Sequence, residues 1–340
     1  MSVSVLVLDG HAEMYAEHLT KEFPGLRVHT AASLDELPDD LSPIDVLVSF
    51  GVAVNDDVLT RLTNLKWIQS LATGVDHFLR NPALRPSVLI TSGRGIHGPM
   101  MREMAAFLML CLSHNVLRQT EDQKAHRWER RLWTLLYEKT AVVVGLGVSG
   151  IAIGELMRAL GMNVIGVTRT IREVAGFAAM MPTDRLIEAA AAADYLINVL
   201  PANPENIGLF SREVFAAMKP TAFFINIGRG ETVDETALID CLRAKRIAGA
   251  ALDVFATRPL PPSSPLWDMP NVVITPHIGG YVAEYERYVM PIDRQHASVP
   301  GRAARGDAQR GAPPTGVAGF AGGRFSSNWN AKMGRSGPCA

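Results

Sequence analysis

Three short segments carry the residue types that could do chemistry in this chain of 340 residues. They are GLGVSG at 145–150, INIGRG at 225–230 and TPHIGG at 275–280. The first is a glycine-rich turn of the kind that binds a pyrophosphate. The second contains Arg229, a fixed cation with two parallel donors, and the third contains His277, which can exchange a proton near neutral pH. Together they are the parts needed to move a hydride onto the carbonyl of a small acid.

The glycine-rich turn directly follows an apolar run and directly precedes helix-like sequence, and this context makes it a strong signal for a dinucleotide. Gly145 permits the tight turn, Gly147 lets the backbone approach a pyrophosphate, and Gly150 allows close packing of helix on strand. The amides of Val148 and Ser149 then face the phosphates at a helix N-terminus. The alternative is a glycine-rich turn that binds no ligand.

The end of the second strand of this unit decides which nucleotide is favoured. A site for NAD has Asp or Glu there, to accept a hydrogen bond from the ribose 2′-hydroxyl. This chain has Thr168, Arg169 and Thr170, with Arg172 close behind. Because a guanidinium suits a 2′-phosphate that a carboxylate would repel, we predict NADP(H), with NAD(H) possible. The alternative is that Arg169 stacks on adenine or faces solvent, which leaves a relaxed preference.

The elements that must position these residues alternate between short apolar runs and polar, helix-like stretches. This alternation predicts parallel sheets covered on both faces, in two doubly wound α/β domains. The predicted strands are Val3–Leu8, Leu26–Thr30, Asp45–Phe50, Leu65–Ser70 and Val88–Thr91, then Ala141–Gly145, Asn163–Thr168, Tyr195–Leu200, Ala222–Ile227, Gly249–Val254 and Val272–Thr275.

We predict a first domain over residues 1–97, to which the chain returns at about 281–291, and a cofactor domain over 98–280. Met100–Val116 is expected to be one long buried helix, and the polar, aromatic stretch 118–139 an exposed arm. Its two tryptophans would be costly to leave in water, so we predict a contact in a homodimer. The alternative, that the two tryptophans pack against their own domain, is nearly as well supported.

The composition indicates a soluble globular protein. Apolar residues make up 48% of the chain, and 33 Lys and Arg nearly balance 34 Asp and Glu, which gives no electrostatic case for nucleic acid or a membrane. The three cysteines fit no metal site and no disulfide framework, which favours a reducing cytoplasm and predicts no metal.

Residues 292–340 differ in kind, with no leucine, no glutamate and nine glycines. Such a segment cannot bury enough apolar surface to offset its ordering entropy, so we predict disorder there. The abrupt change also suggests a replaced or frame-slipped terminus.

Up to about residue 291 the chain resembles the D-isomer-specific 2-hydroxyacid dehydrogenases, nearest to the glyoxylate/hydroxypyruvate reductase type. Many segments match in family order: LKWIQSLATGVDHF (65–78), RGIHGPM (94–100), GLGVSG (145–150), LPANPENIGLF (200–210), INIGRGETVDETAL (225–238), AALDVF (250–255), PLW (265–267) and NVVITPHIGGY (271–281). The resemblance implies a Rossmann-type cofactor domain plus a flavodoxin-like substrate domain, and NAD(P)H-dependent reduction of a small 2-oxo acid to the D-2-hydroxy acid.

The resemblance also implies roles for individual residues. Arg229 binds the substrate carboxylate and polarises the carbonyl, while backbone amides around Thr73 and Gly74 hold the other side of that carboxylate. His277 is the general acid, and Asp253 hydrogen-bonds the nicotinamide amide. The remaining implied cofactor contacts are Leu200, Pro201, Ile227, Gly228, Gly279 and Gly280.

One position departs from the family pattern. Where the family has a glutamate that pairs with the histidine and raises its proton affinity, this chain has Arg258, and a guanidinium favours the neutral imidazole. Arg258 could be held away from a weaker acid, or Glu284 or Glu286 could supply the charge. Alternatively the protein binds cofactor but turns over poorly, as a dinucleotide-sensing protein comparable to the C-terminal-binding-protein corepressors of this family.

Overall fold

The computed structural model describes residues 2–51, 54–93, 95–283 and 285. The described residues divide into two compact units. The first contains the residues up to Ile96 together with Tyr285, and the second runs from His97 to Ala283. The predicted tail at 292–340 lies outside the described residues, as do Glu284 and Glu286.

The first unit is a parallel five-stranded sheet with helices. Its strands lie in the order β2-β1-β3-β4-β5, which is the flavodoxin-like order that the resemblance implies. The strands are β1 (Ser4–Leu8), β2 (Arg27–Ala31), β3 (Val46–Ser49), β4 (Trp67–Ser70) and β5 (Leu89–Ser92), and the helices are α1 (Ala12–Glu22), α2 (Asp56–Arg61) and α3 (Asp76–Leu79).

Burial explains why β1 is apolar along its whole length. All five of its residues are buried, because it lies in the interior of a parallel sheet between β2 and β3, with Val5 opposite Val28 and Val46. Tyr285 also lies in this unit, where its hydroxyl donates a 2.6 Å hydrogen bond to the carbonyl of Leu71.

The second unit begins with two helices, α4 (Gly98–Ser113) and α5 (Val116–Lys124), and continues as a parallel seven-stranded sheet. Its strands are β6 (Thr140–Val144), β7 (Asn163–Thr168), β8 (Ala179–Pro182), β9 (Tyr195–Asn198), β10 (Phe223–Asn226), β11 (Gly249–Leu252) and β12 (Val272–Ile274). Its other helices are α6 (Val148–Ala159), α7 (Leu186–Ala192), α8 (Arg212–Ala217) and α9 (Glu235–Arg243), and it has short helical turns at Thr183–Arg185, Gly230–Thr232 and Pro265–Asp268.

The strand order of this sheet is β12-β11-β10-β9-β6-β7-β8. The direction of winding therefore reverses between β6 and β9, and such a reversal is where open α/β sheets bind ligands, beyond the carboxyl ends of their strands. Two cores form on the two faces. Successive residues of β6 point to opposite faces of the sheet, because side chains alternate along a strand. Val142 and Val144 pack in one core, and Ala141 and Val143 pack in the other.

The fold class is confirmed in both units, and every predicted strand corresponds to an observed one. One strand, β8, was not among those predicted.

The long buried helix predicted over Met100–Val116 is confirmed as α4, but its bounds differ. α4 runs from Gly98 to Ser113, and a second helix, α5, begins at Val116 and continues into the stretch 118–139 that was expected to be an exposed arm. The chain turns at Asn115, whose φ of 52° is left-handed, and asparagine is among the few residue types that adopt this conformation readily.

Candidate functional site

The glycine-rich turn joins β6 to α6, beside the point where the strand order reverses. Gly145 has a φ of 105°, which strains any other residue. A Cβ on Gly150 would lie 1.9 Å from the carbonyl oxygen of Gly145, so the close approach of helix to strand requires glycine there. A Cβ on Gly147 would meet nothing within 4 Å.

The start of α6 suits an anion. Gly147 is its N-cap and supplies no side-chain hydrogen bond, so Val148 and Ser149 lie in a first turn whose amides lack helical acceptors. The open space beside Gly147 leaves room for a group to approach these amides. This turn therefore fits the pyrophosphate of a dinucleotide.

The loops after β9 and β10 lie against this turn. A Cβ on Gly145 would be 3.1 Å from Cδ2 of Leu200, and one on Gly228 would be 2.7 Å from the carbonyl oxygen of Leu200. Ile227 is buried, whereas Pro201 is exposed. The structure thus brings the predicted contacts Gly145, Leu200 and Gly228 together at one edge of the sheet.

Two buried asparagines, which the sequence reasoning missed, hold those loops. The Asn198 amide donates to Oδ1 of Asn226 at 2.9 Å and to Oγ1 of Thr232 at 2.7 Å. Their side-chain oxygens in turn accept from the backbone amides of Leu200 and Gly228. The signal was present, since both asparagines end apolar strands, YLIN and FFIN, and a polar residue at such a buried place needs partners.

The end of β7 carries the residues expected to choose the cofactor. Arg169 is exposed and forms an ion pair with Glu205, a partner the sequence did not predict. Arg172 donates to the carbonyl oxygen of Leu146 at 2.8 Å. Thr168 ends the strand and Thr170 is exposed beyond it. A 2′-phosphate on Arg169 would therefore compete with a carboxylate, and the preference for NADP(H) stays a prediction.

Arg229 follows β10 and immediately precedes the helical turn at Gly230–Thr232. Its Nη1 donates to the carbonyl oxygen of Gly228 at 2.8 Å, and its own carbonyl accepts a 2.6 Å hydrogen bond from the Thr232 hydroxyl. A Cβ on Gly230 would lie 1.9 Å from the carbonyl carbon of Phe255, so this loop packs tightly on the one that follows β11. The backbone of Arg229 is thereby fixed in place.

Asp253 follows β11 and organises the loop that carries His277. The residue is 2% exposed, and its carboxylate accepts from the Thr275 hydroxyl at 2.6 Å and from the amides of Ile278 and Gly279 at 2.9 and 3.0 Å. These bonds hold His277 in a left-handed conformation with a φ of 57°. The sequence did not predict this role, and a contact of Asp253 with the nicotinamide amide stays a prediction.

The two glycines after His277 are closely packed. A Cβ on Gly279 would be 3.0 Å from Oδ2 of Asp253, and one on Gly280 would be 2.8 Å from Cδ2 of His97.

The surroundings of His277 favour the neutral imidazole. Partial desolvation lowers its pKa below the usual 6.5, the guanidinium of Arg229 lowers it further, and that of Arg258 adds to the effect. The carboxylates of Asp253 and Glu231 act in the opposite direction. His277 as a whole still reaches solvent, which screens these charges.

Arg258 contacts His277 directly. Its Nη1 lies 3.3 Å from Nδ1 of His277, and its Nη2 lies 3.6 Å from Oε1 of Glu231. The alternative in which Arg258 is held away from the histidine is therefore wrong. Glu231 is a carboxylate near the histidine that the sequence reasoning did not consider.

Thr73 and Gly74 lie in the first unit, in the loop between β4 and α3. The Thr73 hydroxyl donates to the carbonyl oxygen of Gly93 at 3.2 Å, which ties this loop to the end of β5. Their role in substrate binding stays a prediction.

Neither a metal cluster nor a membrane helix is found in the described part of the chain. No three or more His, Cys, Asp or Glu side chains among the described residues form a group able to hold a metal ion. Within the same residues no helix has both the length and the apolar character needed to span a bilayer.

Two family models match the chain. Residues 106–279 match the NAD binding domain of D-isomer specific 2-hydroxyacid dehydrogenases, and residues 5–80 match the catalytic domain of the same family. The first match covers the dinucleotide turn, Arg229 and His277.

Relatives of two activities are similar to the chain. D-3-phosphoglycerate dehydrogenase of Methanocaldococcus jannaschii is 32% identical over 84% of the chain, but the match covers 55% of that enzyme. The chain thus spans about half the length of the curated phosphoglycerate dehydrogenases it matches. Glyoxylate/hydroxypyruvate reductase B of Pectobacterium carotovorum is 30% identical over 88% of the chain and 96% of that protein.

A solved structure extends the likeness to the fold. The NADPH-dependent glyoxylate/hydroxypyruvate reductase of Sinorhizobium meliloti, in complex with NADP and sulfate, is 29% identical with a TM-score of 0.73, over 84% of this chain and 92% of that one. The family models, the relatives and the fold indicate the same family as the dinucleotide turn, Arg229 and His277 do. The chain belongs to the D-isomer specific 2-hydroxyacid dehydrogenase family.

Proposed function

We propose that this protein uses NAD(P)H to reduce a small 2-oxo acid, such as glyoxylate or hydroxypyruvate, to the D-2-hydroxy acid. One observation carries the proposal. Arg229, Asp253 and His277 follow β10, β11 and β12, three neighbouring strands of the sheet whose β6 carries the dinucleotide turn. A fixed cation and a proton-exchanging group thus share one sheet edge with a turn that fits a pyrophosphate.

Arg229 is proposed to anchor the substrate carboxylate and to polarise the adjacent carbonyl. Its backbone is clamped through Thr232 and Gly230, so a substrate held by the guanidinium would be positioned without ordering the loop. A guanidinium also stays charged at every working pH, which suits a group that must bind an anion throughout the reaction.

His277 is proposed to protonate the oxygen of the carbonyl as it becomes an alkoxide. Because Arg258 can only donate, Nδ1 of His277 must accept in the observed contact, and the proton of the neutral imidazole is on Nε2. To act as an acid the ring must first gain a second proton on Nδ1; Nε2 then gives its proton to the substrate oxygen, and the neutral imidazole remains. The bound reduced nicotinamide supplies the hydride.

The cofactor is proposed to be held by Gly147, Val148 and Ser149 at its pyrophosphate, and by Arg169 at its ribose. NADP(H) is favoured because Arg169 and Arg172 stand at the position where an NAD site has a carboxylate. The NADPH-dependent reductase of Sinorhizobium meliloti supports the same choice.

We also propose that the segment 126–137 joins two copies of the chain, in a cytoplasmic homodimer. Trp128 is 95% exposed, and Leu132 and Tyr137 of the same segment are exposed as well. Buried Asp122 fixes the segment by pairing with Arg127 and Arg131 at 2.7 and 2.9 Å. Sedimentation equilibrium tests the proposal, since Trp128→Ser together with Leu132→Ser should yield a folded monomer. A wild-type monomer would contradict it.

A second candidate function is dinucleotide sensing with little or no turnover. The contact of Arg258 with His277 favours it, because a proton donor that is kept neutral is a poor acid.

An oxidation assay separates the two functions. NADPH and NADH are each mixed with the protein and a panel of acids that includes glyoxylate, hydroxypyruvate and 3-phosphohydroxypyruvate, over a range of pH. We expect steady loss of reduced nicotinamide, abolished by His277→Gln and by Arg229→Gln. A melting temperature that NADPH raises, without consumption of NADPH for any acid, would reject the reductase and support the sensor.

A further inference from the structure

The guanidinium of Arg258 lies between two partners of different chemistry. Its Nη1 is 3.3 Å from a nitrogen of His277, which follows β12, and its Nη2 is 3.6 Å from a carboxylate oxygen of Glu231, in the helical turn after β10. The Arg258 side chain is 43% exposed, whereas that of Glu231 is 21% exposed. Arg258 therefore has room to shift toward either partner, while Glu231 is more enclosed.

The contact with His277 is possible in only one protonation state. A guanidinium has donors and no acceptor, so Nδ1 of the histidine must accept. A protonated imidazole carries hydrogen on both ring nitrogens and would then face the guanidinium with a donor and a like charge. Protonated His277 and a guanidinium on its Nδ1 exclude each other.

We propose that Glu231 and His277 compete for Arg258, and that Glu231 is a positioning residue which holds the guanidinium whenever His277 gains its second proton. The proposal rests on the proposed function of His277 as a proton donor. It gives the chain a carboxylate that raises the proton affinity of the histidine indirectly, by drawing Arg258 away, where the family pattern has one that pairs with the histidine itself.

The other charged groups that act on His277 do not take this role. Arg229 disfavours the second proton, and its backbone is clamped. Asp253 favours the proton, but its carboxylate already accepts three hydrogen bonds from the loop of His277 itself. Of the two carboxylates, Glu231 is the one that contacts Arg258 and can therefore respond to the position of the guanidinium.

Titration of labelled histidine by NMR tests the proposal without any need for turnover. His277→Gln assigns the signal, and in the wild-type protein at neutral pH the ring should carry its proton on Nε2. Glu231→Gln, which removes the charge but keeps the shape, should lower the pKa of His277 by about one unit. In an Arg258→Met background the same change should lower it by only about a third as much or less.

Glu188→Gln is the matched control, because Glu188 also pairs with an arginine, Arg185, but on α7. It should leave the titration of His277 unchanged. Glu231→Asp, which keeps the charge, should restore most of the pKa that Glu231→Gln loses. An equal shift in both backgrounds would overturn the proposal, because Glu231 would then act on the histidine directly. A proton found on Nδ1 in the wild-type protein, or no shift in either background, would overturn it as well.

The pH profile of kcat/KM for reduction gives the second measurement. Its midpoint should move with the NMR titration in each variant. Suppose that no acid is turned over, but that Glu231→Gln shifts the pKa of His277 only when Arg258 is present. This result would reject the proposed function and leave the competition for Arg258 standing. Steady turnover, combined with a pKa of His277 that Glu231→Gln shifts equally with and without Arg258, would reject the competition for Arg258 and leave the proposed function standing.

Discussion

Nη1 of Arg258 lies 3.3 Å from Nδ1 of His277, so a permanent cation contacts the ring nitrogen that must gain a proton before the histidine can act as an acid. The two residues follow neighbouring strands, β11 and β12, and no change of backbone is needed to bring them together. This contact separates the chain from the family pattern, in which a carboxylate supports the histidine. The cofactor turn and Arg229 keep that pattern.

The first prediction concerns the pH dependence of reduction. The pKa of His277 is lowered, by partial desolvation first and then by Arg229 and Arg258, so the protonated form that donates to the substrate predominates only at pH values below the usual pKa of 6.5. The value of kcat/KM for reduction should be largest at acidic pH and fall by about tenfold per pH unit above the midpoint. A plateau that continues above neutral pH would show that the donor is not His277 in this environment.

Oxidation of the hydroxy acid gives the internal control for that profile. It needs the neutral imidazole as the base, so its activity should persist to lower pH than for a histidine of ordinary pKa. The two directions should share one midpoint, measured with the same protein and cofactor.

A second prediction compares the contribution of Asp253 to the free energy of unfolding with that of an exposed carboxylate. Asp253→Asn leaves backbone amides facing an amide side chain, so we expect the free energy of unfolding to fall by about 2 to 3 kcal/mol. Activity should fall with it, because the loop of His277 loses its fixed conformation. Asp240→Asn, at an exposed pair with Arg212, should cost less than about 1 kcal/mol in the same urea titration. Equal losses at the two sites would contradict this role.

A third prediction compares two glycines of one turn. Gly147→Ala places a methyl group in open space at the start of α6, so stability should not change, but NADPH should bind at least about tenfold more weakly, or about 1.4 kcal/mol. Gly150→Ala instead forces a contact of 1.9 Å with the backbone of Gly145, so the protein itself should be destabilised. Calorimetry measures the first effect and thermal unfolding the second. Full affinity for NADPH in Gly147→Ala would place the pyrophosphate elsewhere.

A fourth prediction tests the choice of cofactor at Arg169. Arg169→Gln should weaken NADPH binding and leave NADH binding nearly unchanged, because NADH has no 2′-phosphate. Glu205→Gln should strengthen NADPH binding, since Glu205 is the partner that the phosphate would displace. If both variants bind the two cofactors as the wild type does, Arg169 does not contact the ribose.

Much of the fold follows from the sequence because apolar runs and glycine-rich turns are local signals. The strand Asn163–Thr168 was predicted with the bounds that the structure has, and the other strands differ by a few residues at their ends. β8 was missed because it is an edge strand of four residues, AMMP, that ends in proline and is largely unburied. The break between α4 and α5 depends on the backbone conformation of one residue, Asn115, which periodicity does not detect.

The site was predicted less completely, because its chemistry depends on contacts between distant segments. The family pattern puts Arg258 at the position that pairs with the histidine, but whether its guanidinium contacts His277 was left open. Glu231 was not identified, since its position two residues after Arg229 does not indicate that it contacts a residue of the β11 loop. The ion pair of Arg169 with Glu205 spans 36 residues and joins two exposed side chains that no pattern connects.

Replacing Arg258 tests most directly whether its guanidinium controls the acid strength of His277. Reduction of glyoxylate by NADPH is followed at neutral pH in the wild-type protein, in Arg258→Gln and in Arg258→Glu. We expect kcat/KM to increase in that order, by about tenfold for each unit by which the pKa of His277 rises, while KM for NADPH stays constant. An unchanged kcat/KM in Arg258→Glu would contradict this expectation, because His277 would then not be the acid whose strength Arg258 controls.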